Sequence, residues 1–321
     1  MEIVLHVGLP KTATTYLQEW LNHNKTLLSS RLGVLPSQAG GHLLAALCCP
    51  EQYHGRSDFV SIFRSYSLES TSKNLKSLRA EGHSRAVISS EYFFLASPAR
   101  ISEVLTQYSL DVKKVIVLLR RQDRLIGSGY AQDIKELARS EPIGEIGYSK
   151  HYDWSILLTA YAQAFPEATV VPLDFDFLRR NRSLVDVWKR ELGVEDIQTV
   201  ERWESSGLVN ESLPGEMVEL CRASNALGLP SLTAFSFQAA RAGIVSAKYE
   251  LPADTRNAVR DAFCDANDAF VASLDDPTLF HEYTSSAWKP SDTEKFDPNT
   301  LRLSTVARLL AYALLSNKAR P

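Results

Sequence analysis

The chain has 321 residues, of which 45% are hydrophobic and 23% charged, and a chain of this kind can bury the core of one large domain. Its formal net charge of -3 excludes a general attraction to nucleic acid or anionic membranes, so any anion site must be local. Four cysteines without zinc or disulfide spacing indicate a reducing environment. Residues 1–9 lack a signal-peptide pattern and no apolar run reaches membrane-spanning length, so we expect a cytoplasmic protein.

Short apolar runs rich in β-branched residues predict buried, parallel strands. They cover residues 3–7, 86–90, 115–119 and 169–173. Helical patterns alternate with them, so the predicted fold class is α/β, a three-layer, P-loop-like fold with a central parallel sheet flanked by helices. Ligands of such folds gather at the carboxyl ends of the strands.

Helical periodicity begins soon after the first strand. Thr14 is placed to cap a helix in which Leu17, Trp20 and Leu21 share one face. Similar patterns cover residues 152–165, 214–227, 256–274 and 301–315. The chain beyond about residue 200 is therefore expected to be mostly helical.

A polar, proline-containing stretch interrupts the last part of the chain. It predicts a main domain over residues 1–283, a linker over 284–298 and an amphipathic carboxyl-terminal helix over 299–321. That helix either packs on its own domain or serves a dimer interface or a peripheral membrane contact. The sequence leaves these alternatives, and the oligomeric state, open.

The segment that follows the first strand has the features of an anion-binding loop. It reads Pro10-Lys11-Thr12-Ala13-Thr14-Thr15 and leads directly into the first helix. A helix start leaves backbone N–H groups free for an anion, Lys11 adds a positive charge, and the threonines add hydroxyl donors. The simpler alternative is a capped helix with an exposed lysine.

This loop lacks the second glycine of a Walker A loop, and it resembles the Pro-Lys-(Thr/Ser)-Gly-Thr-Thr loop of sulfotransferases that use 3′-phosphoadenosine 5′-phosphosulfate (PAPS). Ala13 stands where that family has glycine, and its methyl group fits there if its φ is negative. The resemblance implies PAPS as donor, adenosine 3′,5′-bisphosphate as product and sulfuryl transfer as activity. The Arg-Lys-Gly loop of cytosolic members has only a weak counterpart, at residues 241–243.

Glu91 follows the second predicted strand at its carboxyl end, beside aromatic residues that can raise the pKa of a carboxyl group. Several carbohydrate sulfotransferases use a glutamate as base at this place, and many cytosolic members use a histidine. The alternative is that Glu91 caps the following helix. His42, after a glycine pair, is the rival base, and His6 is expected to be a satisfied core histidine.

Arg120 ends the third predicted strand, and Ser128 follows eight residues later, within reach of a turn and a short helix. A guanidinium and a hydroxyl suit phosphate oxygens. The resemblance implies that this pair holds the 3′-phosphate of PAPS; the alternative is an exposed, arginine-rich helix start. Arg121 and Arg124 fit either a nucleotide contact or a solvated surface.

The sequence thus predicts a PAPS-dependent sulfotransferase that acts on a hydroxyl or amine of a small-molecule acceptor. The glutamate base favours a carbohydrate or glycolipid, and no metal ion and no nucleic-acid partner are expected. Two rivals remain. One is a P-loop-like nucleotide kinase or NTPase, which would need a Walker A loop. The other is a non-catalytic nucleotide-binding module.

Overall fold

The structure is a computed structural model, which describes residues 1–55, 57–143, 152–200, 212–245, 248–289, 305–306, 308–310 and 312. The chain divides into two compact units. The first has the bounds Met1–Arg120, Ser149–Trp203 and Ala266–Thr284. The second has the bounds Arg121–Tyr148, Glu204–Asp265 and Ser285–Pro321. Each unit is described by itself below.

The first unit is built on a five-stranded parallel sheet with the strand order β2-β3-β1-β4-β5. The strands are β1 Glu2–Gly8, β2 Gly33–Val34, β3 Arg85–Ser90, β4 Asp111–Leu119 and β5 Thr169–Asp174. The four predicted strands are confirmed. Strand β2 escaped prediction because two residues are too few to show a period.

Helices fill most of the remaining described chain. They are α1 Thr14–His23, α2 Lys25–Leu28, α3 Leu43–Cys48, α4 Ser57–Ser65, α5 Leu68–Ala80, α6 Pro98–Gln107, α7 Gln122–Glu136, α8 Trp154–Ala164, α9 Phe175–Arg180, α10 Leu184–Leu192, α11 Gly215–Ala226, α12 Thr233–Arg241 and α13 Ala253–Ala272. A π-helical segment covers Ser37–His42, and 3₁₀ helices cover Glu51–Tyr53, Glu91–Leu95 and Pro277–Tyr283. The helical patterns predicted from residues 152, 214 and 256 onward correspond to α8, α11 and α13.

Alternation along the strands explains the layers of the first unit. Val4 and Leu118 face a buried cluster that includes Trp20 of α1 and Trp188 of α10. The alternate residues of β4, such as Val117, are buried as well, and α6 and α8 pack on that strand. The fold class is therefore α/β, with a parallel central sheet flanked by helices, as predicted.

The register of the sheet brings four strand ends to one edge. Val7 pairs with Ser90, Gly8 with Leu118, and Leu119 with Asp174. Because all the strands are parallel, the segments that leave β1, β3, β4 and β5 begin next to one another. This edge is where an α/β sheet holds its ligands.

The second unit is helical. Its cluster of buried side chains contains Met217, Ala239, Val245 and Leu309, and Arg308 donates to the Gly243 carbonyl oxygen at 2.9 Å. The few described residues of the predicted carboxyl-terminal helix thus pack on α11 and α12. Most of the linker and most of that helix lie outside the described residues, so the predicted division of the chain stays a prediction. No helix among the described residues is long and apolar enough to cross a membrane.

Candidate functional site

The loop between β1 and α1 has an unusual backbone. Lys11 has a φ of 66° and Ala13 a φ of 59°, and both lie in the left-handed region. The condition under which the Ala13 methyl group was expected to fit, a negative φ, is therefore not met. A left-handed residue other than glycine costs roughly 1–2 kcal/mol, and backbone strain of this kind clusters at ligand sites. A chain that alternates in and out of this region can turn successive N–H groups toward one anion.

Gly8 and Thr14 determine how tightly this loop closes. A β-carbon on Gly8 would lie 2.1 Å from Thr14 Oγ1, so only glycine allows the approach. Thr12 is fully buried, and its hydroxyl donates to the Leu9 carbonyl oxygen at 2.7 Å. The Thr14 hydroxyl lies 3.4 Å from the same oxygen. The Thr12 and Thr14 hydroxyl groups are therefore engaged in hydrogen bonds within the loop, while Thr15 is half-buried.

The start of α1 has no side-chain cap. The residue before the helix is Ala13, and Thr14 is the first helical residue. The prediction that Thr14 caps the helix is wrong, because its side chain turns back toward Leu9 and Gly8. An uncapped start leaves backbone N–H groups without intrahelical acceptors, at the positive end of the helix dipole. A helix start of this kind is typical of sites that hold a phosphate or sulfate group, and the predicted contribution of Lys11 to such a site stays a prediction.

Glu91 lies at the end of β3, as predicted, and is half-buried. It is the first residue of the 3₁₀ helix Glu91–Leu95, whose cap is Ser90: the Ser90 hydroxyl accepts from the Tyr92 N–H at 3.1 Å. The alternative in which Glu91 caps this helix is therefore wrong. Since Val7 pairs with Ser90, Glu91 and the anion loop leave the sheet from neighbouring positions.

His42 ends the π-helical segment and is held against the end of β3. Gly41 makes this approach possible, because a β-carbon there would lie 2.1 Å from the Ser89 carbonyl oxygen. His42 Nδ1 lies 2.8 Å from Ser90 Oγ, and the ring packs edge-on to Tyr92. Burial lowers the pKa of His42 from 6.5 to about 4, so the ring is neutral near pH 7.

His6 is a core residue, as predicted, but only one of its ring nitrogens has a hydrogen bond. Nδ1 lies 2.8 Å from Ser89 Oγ, which also accepts from the Gln18 amide of α1. Nε2 is buried without a hydrogen-bond partner among the described residues, and the ring packs edge-on to Trp188. Burial lowers the pKa of His6 from 6.5 to about 3.

Arg120 lies at the carboxyl end of β4, beside the anion loop. Its Nη1 donates to the Lys11 carbonyl oxygen at 3.2 Å, and its Nε donates to Asp176 Oδ2 at 3.1 Å. The guanidinium also lies over the Phe175 ring, 5.6 Å from its centroid. The structure thus joins two of the predicted site residues, Lys11 and Arg120, and adds a third group, the Asp176 carboxylate.

Sequence reasoning missed Asp176. It lies in the first turn of α9, directly after β5, and is almost fully buried. Asp174 caps the same helix by accepting from the Asp176 N–H at 2.8 Å. Two acidic residues at the end of a predicted strand were the available signal, because charged groups at buried strand ends are rarely present without a partner.

The other predicted residues of this region belong to the second unit. Arg121 forms an ion pair with Asp123, with N–O distances of 2.8 and 2.9 Å, and lies over the Trp288 ring. This geometry favours a structural interpretation of Arg121. Ser128 is half-buried on α7. Its predicted contact with a 3′-phosphate stays a prediction.

Within the described part of the chain, no three histidine, cysteine or acidic side chains are grouped so as to hold a metal ion. No protein-family model matches the sequence, and no curated protein matches it either. Among solved structures, the chain is similar to a sulfotransferase from Alicyclobacillus acidocaldarius, with a TM-score of 0.44 and 14% identity. The match covers 70% of this chain and 95% of that one. A likeness this distant assigns no function, which must be inferred from the site itself.

Proposed function

We propose that this chain is a PAPS-dependent sulfotransferase, which moves a sulfuryl group to a hydroxyl or amine of a small acceptor. Carbohydrates and glycolipids are the acceptor classes to test first, because the proposed base is a glutamate. The observation that carries the proposal is the loop from Pro10 to Thr15. It combines two left-handed residues, an uncapped helix start and a lysine at the carboxyl edge of a parallel sheet.

The residues at this edge fit a donor with two anionic groups. The loop would hold the 5′-phosphosulfate through its N–H groups and Lys11. Arg120 has a further donor, because Nη2 makes no hydrogen bond with the described residues. That donor would serve the 3′-phosphate of the nucleotide. Ser128 remains the predicted second contact of that phosphate.

PAPS supplies an activated sulfuryl group. The acceptor oxygen or nitrogen attacks sulfur in line, so its bond to sulfur forms while the bond from sulfur to the bridging phosphate oxygen breaks. Lys11 and the loop N–H groups stabilise the negative charge that grows on the leaving phosphate. Positioning and electrostatics thus do most of the work, by analogy with phosphoryl transfer.

Glu91 is the better candidate for the base that accepts the acceptor proton. It is half-buried, and the neighbouring serine rather than Glu91 caps the 3₁₀ helix. His42 is held in place by Ser90, and burial lowers the pKa of its ring. The resemblance to carbohydrate sulfotransferases, which use a glutamate at this place, therefore decides for Glu91, and His42 stays the rival base.

Thermal denaturation of the wild-type protein with different nucleotides tests the proposal. A ligand that binds only the folded state raises the melting temperature, and at equal concentrations the tighter ligand raises it more. Adenosine 3′,5′-bisphosphate should raise it more than ATP with Mg²⁺, and more than 5′-AMP. A kinase or NTPase would show the opposite preference for ATP. If the bisphosphate gives no shift, or no larger shift than 5′-AMP, the proposed donor is wrong.

A binding module without catalysis would also respond to the bisphosphate. An assay for the transfer of a labelled sulfuryl group from PAPS to panels of sugars, glycolipids and phenols distinguishes an enzyme from a binding module. Turnover with any acceptor of the panel establishes an enzyme. Tight binding of the bisphosphate with no turnover on a broad panel would favour the binding module instead.

A further inference from the structure

The left-handed loop requires support from its surroundings. Strained backbone persists only where neighbouring groups fix it, and neither Lys11 nor Ala13 has the freedom of glycine. Thr12 supports the loop from within through its bond to Leu9. Arg120 supports it from the next strand, through the Lys11 carbonyl oxygen.

The bond from Arg120 fixes one peptide group of the loop. A peptide unit is planar and trans, so its C=O and N–H groups point in opposite directions. Holding the Lys11 carbonyl oxygen therefore directs the Thr12 N–H away from Arg120. Without the hydrogen bond from Arg120, this peptide group could rotate, and a different set of N–H groups would then face an anion.

Asp176 in turn fixes Arg120. The side chains of Arg120 and Asp176 are only 16% and 5% exposed, so their charge-assisted bond lies where water screens it little. Phe175 lies beneath the guanidinium and limits its tilt. Asp176 is itself held by α9, whose first turn Asp174 caps. The Arg120 guanidinium thus connects the Asp176 carboxylate to the loop.

We propose that Asp176 is a positioning residue: through Arg120 it holds the Lys11 peptide group, and so keeps the loop in the conformation that binds the 5′-phosphate side of the nucleotide. This inference rests on the proposed function. It assigns to Asp176 a role in nucleotide affinity rather than only in folding. It also gives Arg120 a second task beside its proposed contact with the 3′-phosphate.

Calorimetry on Asp176→Asn tests the proposal, because asparagine keeps the size of the side chain and removes its charge. The affinities for adenosine 3′,5′-bisphosphate and for 5′-AMP should both fall by about tenfold or more, as for a lost charge-assisted hydrogen bond. The loss for 5′-AMP is decisive, because this ligand has no 3′-phosphate. Asp176→Glu, which keeps the charge, should restore much of the affinity.

Asp196→Asn is a matched control. Asp196 pairs with Arg31 at 2.7 Å in the same unit, but both side chains are more than half exposed, so the same chemical change should leave nucleotide affinity unaltered. If Asp176→Asn lowers the melting temperature while both affinities stay at the wild-type value, Asp176 is merely structural and the proposal is wrong.

Arg120→Lys provides a second test of the proposal if Asp176→Asn does not fold. Lysine retains the charge but lacks the planar fork that reaches Asp176 and the Lys11 carbonyl oxygen together, so 5′-AMP affinity should fall as well. Unchanged affinity in this variant would overturn the proposal. Failure of the wild type to bind the bisphosphate would instead reject the proposed function, and with it this inference.

Discussion

The two strands that flank β1 carry different chemistry at their carboxyl ends. The end of β3 is surrounded by uncharged, buried hydrogen bonds, in which Ser89 and Ser90 each join a histidine. The end of β4 carries a partly buried ion pair, Arg120 with Asp176. One side is thus organised by burial, which keeps its two histidines neutral, and the other by charge, which suits an anionic ligand.

Under the proposed function, these two sides have separate tasks. The β3 side presents the base, and the β4 side shapes the anion loop. A change on the first side should therefore affect turnover without affecting nucleotide binding, and a change on the second should affect binding first.

The largest expected effect is that of Glu91→Gln. The amide keeps the shape of the side chain but cannot accept a proton, so turnover should fall by about 100-fold to 10,000-fold, the usual contribution of a general base. Steady-state kinetics with PAPS measures the loss. Bisphosphate affinity and melting temperature should stay near the wild-type values.

Glu103→Gln makes the same change at an exposed position of α6 and should leave all three quantities unaltered. If Glu91→Gln keeps its activity, Glu91 is not the base, and His42 becomes the candidate. If Glu91→Gln loses bisphosphate affinity together with turnover, the two sides of β1 do not have separate tasks.

A smaller effect is expected on folding stability when the pH is lowered. The folded protein keeps His6 and His42 neutral, with pKa values of about 3 and about 4. In the unfolded chain, both rings take up protons below the ordinary histidine pKa of 6.5. A lowered folded-state pKa of a histidine means that stability is fully present above pH 6.5 and falls as the pH drops toward the folded value. At pH 5 each histidine should lower the free energy of unfolding by roughly 2 kcal/mol.

Urea unfolding at pH 7.5 and pH 5 measures this loss. His42→Asn and His6→Asn remove one titrating ring each. Each variant should therefore reduce the difference in the free energy of unfolding between the two pH values by roughly 2 kcal/mol. His23→Asn, at an exposed position, is the matched control. If neither buried variant changes the pH dependence, burial does not hold these rings neutral.

Much of the fold could be predicted because its signals are local. Runs of β-branched residues mark β1, β3, β4 and β5, and the loop motif follows the first of them. The two left-handed residues could not be predicted, since Ala13 reaches its φ of 59° against its own preference. Asp176 could not be linked to Arg120 either, because 56 residues separate them and only the parallel pairing of β4 with β5 brings them together.

The expected cap at Thr14 and the alternative in which Glu91 is a cap are both wrong, for a common reason. Thr14 is of a residue type that caps helices well, and Glu91 is an acid at a helix start, but a neighbour or a strand determined the outcome at both places. The Thr14 side chain packs over Gly8, and Ser90, one position earlier than Glu91, supplies the cap of the 3₁₀ helix. Capping propensity shows which residues can cap, and packing against the sheet selects among them.

The central claim is that the loop after β1 is an anion site in which Lys11 supplies charge. Calorimetry of adenosine 3′,5′-bisphosphate binding to the wild type and to Lys11→Ala tests it most directly, with Lys25→Ala on α2 as the control. We expect the wild type and the control to bind equally well and Lys11→Ala to bind at least about tenfold more weakly, because a charge-assisted contact with phosphate is lost. Equal affinity in all three proteins would contradict it.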